Sequence, residues 1–328
     1  MRAIVTGGAG FVGSNLVRAI YKRHGKDAAV MVIDDLRSGD FTNLCAADDP
    51  ADPFTFTGSF IARTLGELDV HSVVEEFEPD VVFHLASITD TRVAEQAKMI
   101  ADNLEPFEQL LDAAVEKGFK LVYASSAATY GRTARGAATE KRPFALHDAG
   151  DPANVYGFSK WLMEKAADET LERSPEAHVV GLRYFNVFGP REAHKGPMAS
   201  MIYQLTQQVL AGKTPRLFHD GSQARDQVYV HDVVDCTLAA ADDDARSGVY
   251  NVGSGVATSF NDIAAAISTA LGAPSQVEYF DNPFAFYQSY TCADLAKTKK
   301  HLKWSPRYHP REAIAEYAQH LKAQHTRR

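Results

Sequence analysis

The sequence is poor in cysteine and has no stretch that could enter a membrane. Its three cysteines, Cys45, Cys236 and Cys292, are far apart, odd in number and not in a Cys-x-x-Cys pair. We interpret them as thiols of a reducing cytoplasm. No run approaches the roughly eighteen apolar residues of a membrane span, and the N-terminal segment lacks the apolar stretch of a signal peptide. We therefore expect a cytoplasmic protein with no membrane partner.

Positive charge is also scarce. The chain has 34 Lys and Arg against 42 Asp and Glu, a formal net charge of −8, and it contains no basic run. This balance argues against nucleic acid as a partner. Repeats, low-complexity tracts and Ser/Gly linkers are absent too. With 328 residues, of which 45% are hydrophobic and 23% charged, the composition is that of an ordinary globular protein of one large or two smaller domains.

The first half alternates short apolar runs with long helical patterns. Uniformly apolar strands that alternate with helices indicate a parallel sheet covered on both faces. The pattern therefore predicts an α/β fold of the Rossmann type, with a doubly wound parallel sheet. The predicted strands are 2–6, 29–33, 81–85, 120–124 and 178–184, and the predicted helices are 11–23, 66–78, 91–117 and 154–173.

The alternation weakens after Gly189, and residues 131–153 have the composition of a long surface loop. The second half suggests a smaller, mixed α/β unit. We predict a dinucleotide-binding domain over 1–170, with a strand at 177–186 returning to it, and a mainly substrate-binding domain over 187–328, interleaved with the first. Such an arrangement would put the site between them. Its predicted elements are helices 198–211, 231–241, 259–271 and 310–322, and strands 226–230 and 248–252.

A glycine-rich segment, TGGAGFVGS, joins the first strand to the first helix. Glycines at this spacing allow a tight turn and close approach of a pyrophosphate to the helix N-terminus. Asp34 ends the second strand, where an acid can accept hydrogen bonds from the ribose 2′-hydroxyl of NAD. Arg37 could instead pair with the 2′-phosphate of NADP, and we favour NAD. The predicted cofactor-binding residues are Gly7, Gly10, Phe11, Val12, Gly13, Asp34, Asp35, Arg37, Leu85, Ala86, Ser87, Asn103, Tyr156, Lys160 and Val187.

Tyr156 and Lys160 form a Y-x-x-x-K pair at the start of a predicted helix. Residues four apart share a helix face, so the ammonium can lie near the phenol. A lysine and an oxidised nicotinamide, both positive, would favour the phenolate and make Tyr156 a base for a substrate hydroxyl. Ser126, in ASSAATYG, ends a strand at the same edge of the sheet and could bind the same hydroxyl. Asn103 could either shape this site or be an exposed helix residue.

Three motifs, TGGAGFVG, SSAATYG and YGFSK, together resemble the extended short-chain dehydrogenase/reductase family of nucleotide-sugar epimerases and dehydratases. The resemblance covers nearly the whole chain, including RDQVYVHDVVD and YNVGSG. It implies Ser126, Tyr156 and Lys160 as the catalytic triad, bound NAD or NADP, and a nucleotide-sugar substrate held by the C-terminal part. It also implies a homo-oligomer, formed through the helices at 91–117 and 154–173.

Four segments narrow the resemblance to the heptose epimerases of this family: ASSAATYG, RYFNVFGPREAHKGPMAS, KTPRLFHDGS and FYQSYTCADL. They imply inversion of C6 of an ADP-linked heptose, with Lys195 as a second acid/base. A lysine base needs a lowered pKa, and Arg191 and His194 are candidate positive neighbours. The implied substrate-binding residues are Ser126, Asn186, Lys195, Pro197, Gln204, Phe218, Gly221, Ser222, Arg225 and Tyr287.

Three positions depart from the pattern of these epimerases. Pro197 stands where a serine is usual, Gln204 where a histidine is usual, and Asp40 about where many members carry a lysine for the NADP 2′-phosphate. A proline has no N–H to donate, so one polar substrate contact is lost. The third departure weakens the case for NADP.

Three alternatives stay open. Another enzyme of the same fold, such as a UDP-hexose 4-epimerase or a nucleotide-sugar dehydrogenase, would use the same triad. A 4,6-dehydratase is less favoured, because Ala127 and Ala128 follow Ser126 where dehydratases place Asp-Glu. A non-catalytic dinucleotide-binding protein would be expected to lose the tyrosine or the lysine. We expect no metal. Asp232 and Asp235 lie at the start of a predicted helix, where the positive end of the helix dipole stabilises acidic side chains.

Overall fold

The computed structural model describes residues 1–45, 54–89, 95–132, 135–281 and 289–327. The described strands are β1 (Arg2–Thr6), β2 (Ala29–Ile33), β3 (Ser59–Ile61), β4 (Val81–His84), β5 (Lys120–Ser126), β6 (Val179–Tyr184), β7 (Asn186–Phe188), β8 (Arg216–Phe218), β9 (Ala224–Tyr229), β10 (Gly248–Val252), β11 (Ala257–Ser259) and β12 (Glu278–Phe280). Seven of them form the central parallel sheet, in the order β10-β6-β5-β4-β1-β2-β3.

Helices cover both faces of this sheet. The described helices are α1 (Phe11–His24), α2 (Thr42–Cys45), α3 (Val70–Phe77), α4 (Gln96–Lys117), α5 (Arg135–Glu140), α6 (Val155–Arg173), α7 (Met201–Leu210), α8 (Val230–Ala239), α9 (Phe260–Leu271), α10 (Ala296–His301) and α11 (Pro310–Arg327). Because strand side chains alternate, Ala3 and Val5 pack into one core cluster with α1 and α8, while Ile4 packs into another with α3, α4 and α6. None of the described helices is long and apolar enough to span a bilayer.

The C-terminal part has its own small core. Strands β11, β9 and β7 form a mixed sheet, and β12 and β8 form a parallel pair. A third core cluster lies between helices α7, α9 and α11. The predicted fold class, a Rossmann-type sheet with a smaller mixed α/β part, is confirmed. Strand β10 belongs to the large sheet although it comes from the predicted second domain, and the domain boundaries themselves stay a prediction.

Several predicted elements differ in detail. Residues 135–140 of the predicted long loop form helix α5, which buries Ala137 against the core. The predicted helix over 66–78 begins only at Val70, because the Asp69 side chain accepts the backbone N–H of Ser72. Similarly, α7 begins after Ser200, whose hydroxyl accepts the N–H of Tyr203. The strands of three residues were not predicted, since three residues are too few to show a period.

Candidate active site

The glycine segment turns sharply between β1 and α1. Gly7 has φ of +69°, and a Cβ there would lie 2.7 Å from the Ala86 nitrogen. A Cβ on Gly13 would lie 2.1 Å from the Gly7 carbonyl oxygen, so both positions need glycine. Helix α1 starts after Gly10 with no side-chain cap and no acid in its first turn. The free N–H groups at Phe11 and Val12 and the positive end of the helix therefore fit a dinucleotide pyrophosphate.

The carboxylates of Asp34 and Asp35, which follow β2, already have partners within the protein. The Asp34 carboxylate accepts the backbone N–H groups of Ala9 and Leu36, both at 2.9 Å, and burial raises its pKa. Asp34 thus holds the glycine segment in place, and its contact with a ribose stays a prediction. Arg37 pairs with Asp35 at 3.0 Å and lies 3.8 Å from Asp102. Two carboxylates balance its charge, which makes it a poorer partner for a 2′-phosphate.

The segment after β4 lies directly against the glycine segment. The N–H groups of Leu85 and Ala86 donate to the carbonyl and hydroxyl oxygens of Thr6, at 3.1 and 3.2 Å. The Ser87 hydroxyl is buried and finds no hydrogen-bond partner among the described residues, so it is available to a ligand. Val187, by contrast, lies on β7, where it pairs with Val228.

Asn103 connects this segment to the helix that carries Tyr156. Its amide exchanges two hydrogen bonds with the backbone of Ile88, at 2.8 and 3.1 Å, and donates to the Ser159 hydroxyl at 3.0 Å. Only 2% of its surface is exposed. The alternative that Asn103 is an exposed helix residue is therefore wrong, because its amide holds two segments of the site together.

Ser126 and Tyr156 are brought together at the edge of the sheet. Asn154 caps helix α6 by accepting the Gly157 N–H at 2.8 Å, which sets the helix start beside the end of β5. The Ser126 hydroxyl accepts the Ala128 N–H at 3.1 Å and is hydrogen-bonded to the Tyr156 phenol. Burial raises the pKa of Tyr156, and the bond to Ser126 opposes that shift.

Lys160 lies below this pair, 1% exposed. Its ammonium donates to the Ala124 carbonyl at 2.7 Å, and burial lowers its pKa to about 7 against the opposing effect of Glu164. Burial outweighs any help from Lys160 at the phenol, since the pKa of Tyr156 is raised and not lowered. The expected phenolate therefore needs a further positive charge, such as an oxidised nicotinamide.

Removal of the Lys160 charge is expected to stabilise the fold as it abolishes activity. The pKa of Lys160 falls from 10.5 to about 7 on folding, so between those values the unfolded chain binds more protons. The stability of the natural protein then rises with pH in that window. In denaturant unfolding, Lys160→Met should have a higher free energy of unfolding than the natural protein at pH 7, and the difference should shrink towards pH 10. A constant difference between the two proteins, with Lys213→Met as the exposed control, would contradict this.

A buried ion pair supports the triad and was missed at the sequence level. Arg183 donates two hydrogen bonds to the Glu164 carboxylate, at 2.8 and 2.7 Å, and one to the Leu146 carbonyl at 3.0 Å. Ser125, the neighbour of Ser126, also hydrogen-bonds Glu164. The side chains of Arg183 and Glu164 are 5% and 2% exposed. The spacing Y-x-x-x-K-x-x-x-E, which puts Glu164 on the face of Lys160, could have indicated it.

Breaking this pair should destabilise the protein strongly. Arg183→Met leaves the Glu164 carboxylate buried without its partner, which typically costs about 3–5 kcal/mol of unfolding free energy. Denaturant titration measures the loss. The double variant Arg183→Met/Glu164→Leu removes both charges and should recover part of it. If the single variant loses less than about 1 kcal/mol of unfolding free energy, other groups or water must stabilise the Glu164 carboxylate in place of Arg183.

Lys195 lies in a 3-10 turn, Ala193–Met198, that rests on the dinucleotide end of the molecule. Its ammonium is 5.3 Å from the centre of the Phe11 ring, at the start of α1. Burial lowers the pKa of Lys195, and the Glu192 carboxylate opposes the shift. The candidate positive neighbours also have partners of their own: Arg191 donates to Asn15, and His194 bonds Asn43. Besides burial, the Lys195 charge helps to lower the pKa of His194, so these two groups lie close enough to interact, and an effect of Arg191 and His194 on Lys195 stays a prediction.

The predicted substrate residues divide into two groups. Asn186 and Pro197 are exposed, whereas Arg225 is 7% exposed and donates to the Ala224 carbonyl at 3.1 Å. Gln204 donates its amide to the Gly196 carbonyl at 2.7 Å, so it supports the turn that carries Lys195. The Phe218 side chain is 6% exposed and packs edge-on against Phe260, in the core. Direct substrate contact by Gln204 and Phe218 is therefore not supported by the structure.

A cavity of about 1050 Å³ opens beside the turn that follows β8. Gly221 has φ of +69° and lets the chain turn there, while the Ser222 N–H is held by Asp220 at 2.9 Å. Tyr287 was also predicted for this region, but it lies outside the described residues. The cavity is lined by Ala138, Lys141, His219, Asp220, Ser222, Gln223, Ala224, Ala257, Ser259, Asp262, Tyr279, Phe280, Asp281, Ser289 and Tyr290.

Two buried polar side chains have structural partners. The Asp232 carboxylate accepts the backbone N–H groups of Arg307 and Tyr308, at 2.9 and 3.1 Å, and so ties α8 to the C-terminal segment. His84 is 3% exposed and hydrogen-bonds Thr6 at 2.9 Å. The described ranges contain no group of three or more His, Cys, Asp or Glu residues placed to hold a metal ion.

At one edge of the parallel sheet, a glycine-lined helix start lies beside a Ser–Tyr pair and a buried lysine. This arrangement is that of a dinucleotide-dependent enzyme. The chain belongs to the NAD dependent epimerase/dehydratase family, whose model matches residues 3–253. This places it in the extended short-chain dehydrogenase/reductase group that the sequence motifs resemble.

Individual relatives are epimerases. The chain is 38% identical to the ADP-L-glycero-D-manno-heptose-6-epimerase of Pseudomonas paraeruginosa, across 90% of this chain and 91% of that protein. The crystal structure of the enzyme of the same name from Helicobacter pylori matches with a TM-score of 0.85 and 36% identity, over 98% and 96% of the two chains. A UDP-N-acetylglucosamine 4-epimerase from Methanobrevibacter ruminantium matches with a TM-score of 0.85 and 28% identity, over 98% of each chain.

Proposed function

We propose that this protein inverts C6 of an ADP-linked heptose with a tightly bound NAD. One observation carries the proposal beyond the family: a second acid/base candidate, the half-buried Lys195, lies over Phe11 of the glycine segment. Together with Tyr156, it gives a dinucleotide site two groups that can exchange a proton with a sugar oxygen. The names and identities of the two heptose-epimerase relatives support the same substrate.

The chemistry needs one proton transfer on each side of a transient ketone. A bound nicotinamide cofactor would supply the reversible acceptance of a hydride from C6. In one direction, Tyr156 takes the C6 hydroxyl proton while Ser126 orients the oxygen, and Lys195 later donates a proton to the carbonyl oxygen of the turned intermediate. Proton exchange with water then restores Tyr156 and Lys195 for the next turnover, and the reverse direction exchanges their two roles. No net redox change results, so the holoenzyme needs no added oxidant or reductant.

Several finer assignments belong to the same proposal. The glycine segment and the free Ser87 hydroxyl suit either dinucleotide, and the charge-balanced Arg37 favours NAD over NADP as the cofactor. We assign the nucleotide of the substrate to the cavity at Ser222, with Arg225 nearby for the diphosphate. A cytoplasmic location and a homo-oligomer formed through α4 and α6 are expected from the cysteine content and the family. The exposed Val115 and Phe158 on these helices support the oligomer.

A UDP-hexose 4-epimerase is the alternative, and the match to a UDP-sugar 4-epimerase is its support. The decisive experiment incubates the purified protein with ADP-D-glycero-D-manno-heptose and follows the C6 configuration by NMR. We expect conversion to the L-glycero epimer without added cofactor. No inversion of the heptose, together with turnover of UDP-glucose or UDP-N-acetylglucosamine, would establish the alternative instead.

A further inference from the structure

The segment that carries Lys195, residues 189–200, is closed on itself by one buried carboxylate. Glu192 has no exposed surface, and it accepts the N–H of Gly189 at 3.2 Å and the N–H and hydroxyl of Ser200 at 2.6 and 2.8 Å. These bonds join the two ends of the segment. Gln204 supports its middle through the Gly196 carbonyl. The Lys195 segment should therefore move as one unit.

Asn15 attaches this unit to the dinucleotide-binding helix. Asn15 lies in the second turn of α1 and is 5% exposed. Its amide nitrogen donates to the Pro190 carbonyl at 3.0 Å, and its oxygen accepts the Arg191 guanidinium at 2.6 Å. The same nitrogen also donates to the Phe11 carbonyl at 2.8 Å, so one side chain bonds both the helix start and the Lys195 segment.

Asn43 makes a second attachment from α2. Its amide nitrogen donates to the Ala9 carbonyl at 2.9 Å and lies 3.1 Å from Nδ1 of His194. Burial lowers the pKa of His194, which keeps the ring neutral and its nitrogen able to accept. Asn15 and Asn43 thus each join the glycine turn to the Lys195 segment, one through Phe11 and the other through Ala9.

We propose that Asn15 and Asn43 are positioning residues that hold the Lys195 segment closed on the dinucleotide loop, so that a bound cofactor is released only when this segment lifts. The need for such a clasp rests on the proposed function. An epimerase that lost its reduced cofactor at the ketone stage would be left inactive, with an oxidised sugar. The contacts themselves do not depend on which sugar is turned over.

The test measures cofactor release without any sugar nucleotide. Holoenzyme carrying its own NAD is mixed with an excess of isotopically labelled NAD, and the bound label is followed over time. Loss of a hydrogen bond worth about 1.4 kcal/mol should accelerate exchange by about tenfold in Asn43→Ala, and by less in His194→Ala, which spares the bond to Ala9. Because both variants remove the same contact, the double variant should match Asn43→Ala.

Two comparisons make the result decisive. Gln208→Ala removes an amide that accepts the Arg216 N–H at 3.0 Å outside the clasp, and should exchange NAD at the natural rate. Thermal unfolding of the cofactor-free variants separates a loosened clasp from a loosened fold. Natural exchange rates in both Asn43→Ala and His194→Ala would overturn the clasp, as would independent, multiplying effects in the double variant. Failure of heptose turnover alone would instead count against the proposed function.

Discussion

Lys195→Met is expected to reduce epimerisation by about 10²- to 10⁴-fold, the usual contribution of a positioned acid or base. Methionine keeps the length of the side chain but can neither donate nor accept the second proton. The cofactor should stay bound, because the contacts that hold the Lys195 segment are made by Asn15, Asn43 and Glu192. Turnover of the heptose by NMR and the amount of NAD per chain measure the two parts separately.

The exposed Lys213 provides the matched control. Lys213→Met removes the same charge and should leave turnover unchanged. Near-natural epimerase activity in Lys195→Met would return Lys195 to an ordinary loop lysine and remove the main support for the two-base proposal. Loss of NAD from Lys195→Met would mean that its ammonium acts on the cofactor instead of the sugar.

Tyr156→Phe should reduce epimerisation by a similar factor of about 10²- to 10⁴-fold, and the two variants should differ in their half-reactions. The phenol bonded to Ser126 and the ammonium at Phe11 serve opposite configurations of C6 in the proposed cycle. Lys195→Met should therefore still reduce its bound NAD with the epimer whose proton Tyr156 takes. Tyr156→Phe should reduce its bound NAD only with the other epimer, whose proton Lys195 takes. The absorbance of reduced nicotinamide, recorded in a single turnover, reports each case.

Ser126→Ala serves as the comparison for the second test. It removes the hydroxyl bonded to the phenol but leaves both proton-transfer groups, so it should slow both epimers without selecting between them. If Lys195→Met and Tyr156→Phe respond identically to the two epimers, a single group exchanges both protons and the two-base proposal is wrong.

Local sequence patterns were sufficient to predict the site residues that lie at the ends of regular strands and helices. The glycine spacing required a tight turn, and Gly7 and Gly13 indeed have no room for a Cβ. Ser126 ends β5, and Tyr156 starts α6 after the Asn154 cap. Parallel strands put such positions at one edge of the sheet whatever the details of packing, so the pairing of Ser126 with Tyr156 followed from the order of the elements.

In irregular segments, the direction of a side chain is harder to predict. Gln204 and Phe218 were predicted to contact substrate, which stays a prediction; in the structure one supports the turn at Gly196 and the other packs in the core. Resemblance indicates that such a position matters, but the direction of its side chain depends on contacts with segments far along the chain. The same limit applies to Arg191 and His194, whose bonds to Asn15 and Asn43 join segments far apart in the chain.

By itself, the sequence determined the fold class and the dinucleotide turn, and it predicted the serine, tyrosine and lysine of the proposed triad, because each follows from spacing within one or two neighbouring elements. Only the tertiary structure decided how Lys195 is presented. Asn15 and Arg191 are 176 positions apart and make one hydrogen bond of 2.6 Å. No periodicity records such a contact, since it forms when two separately folded segments pack together and bury their polar groups as partners.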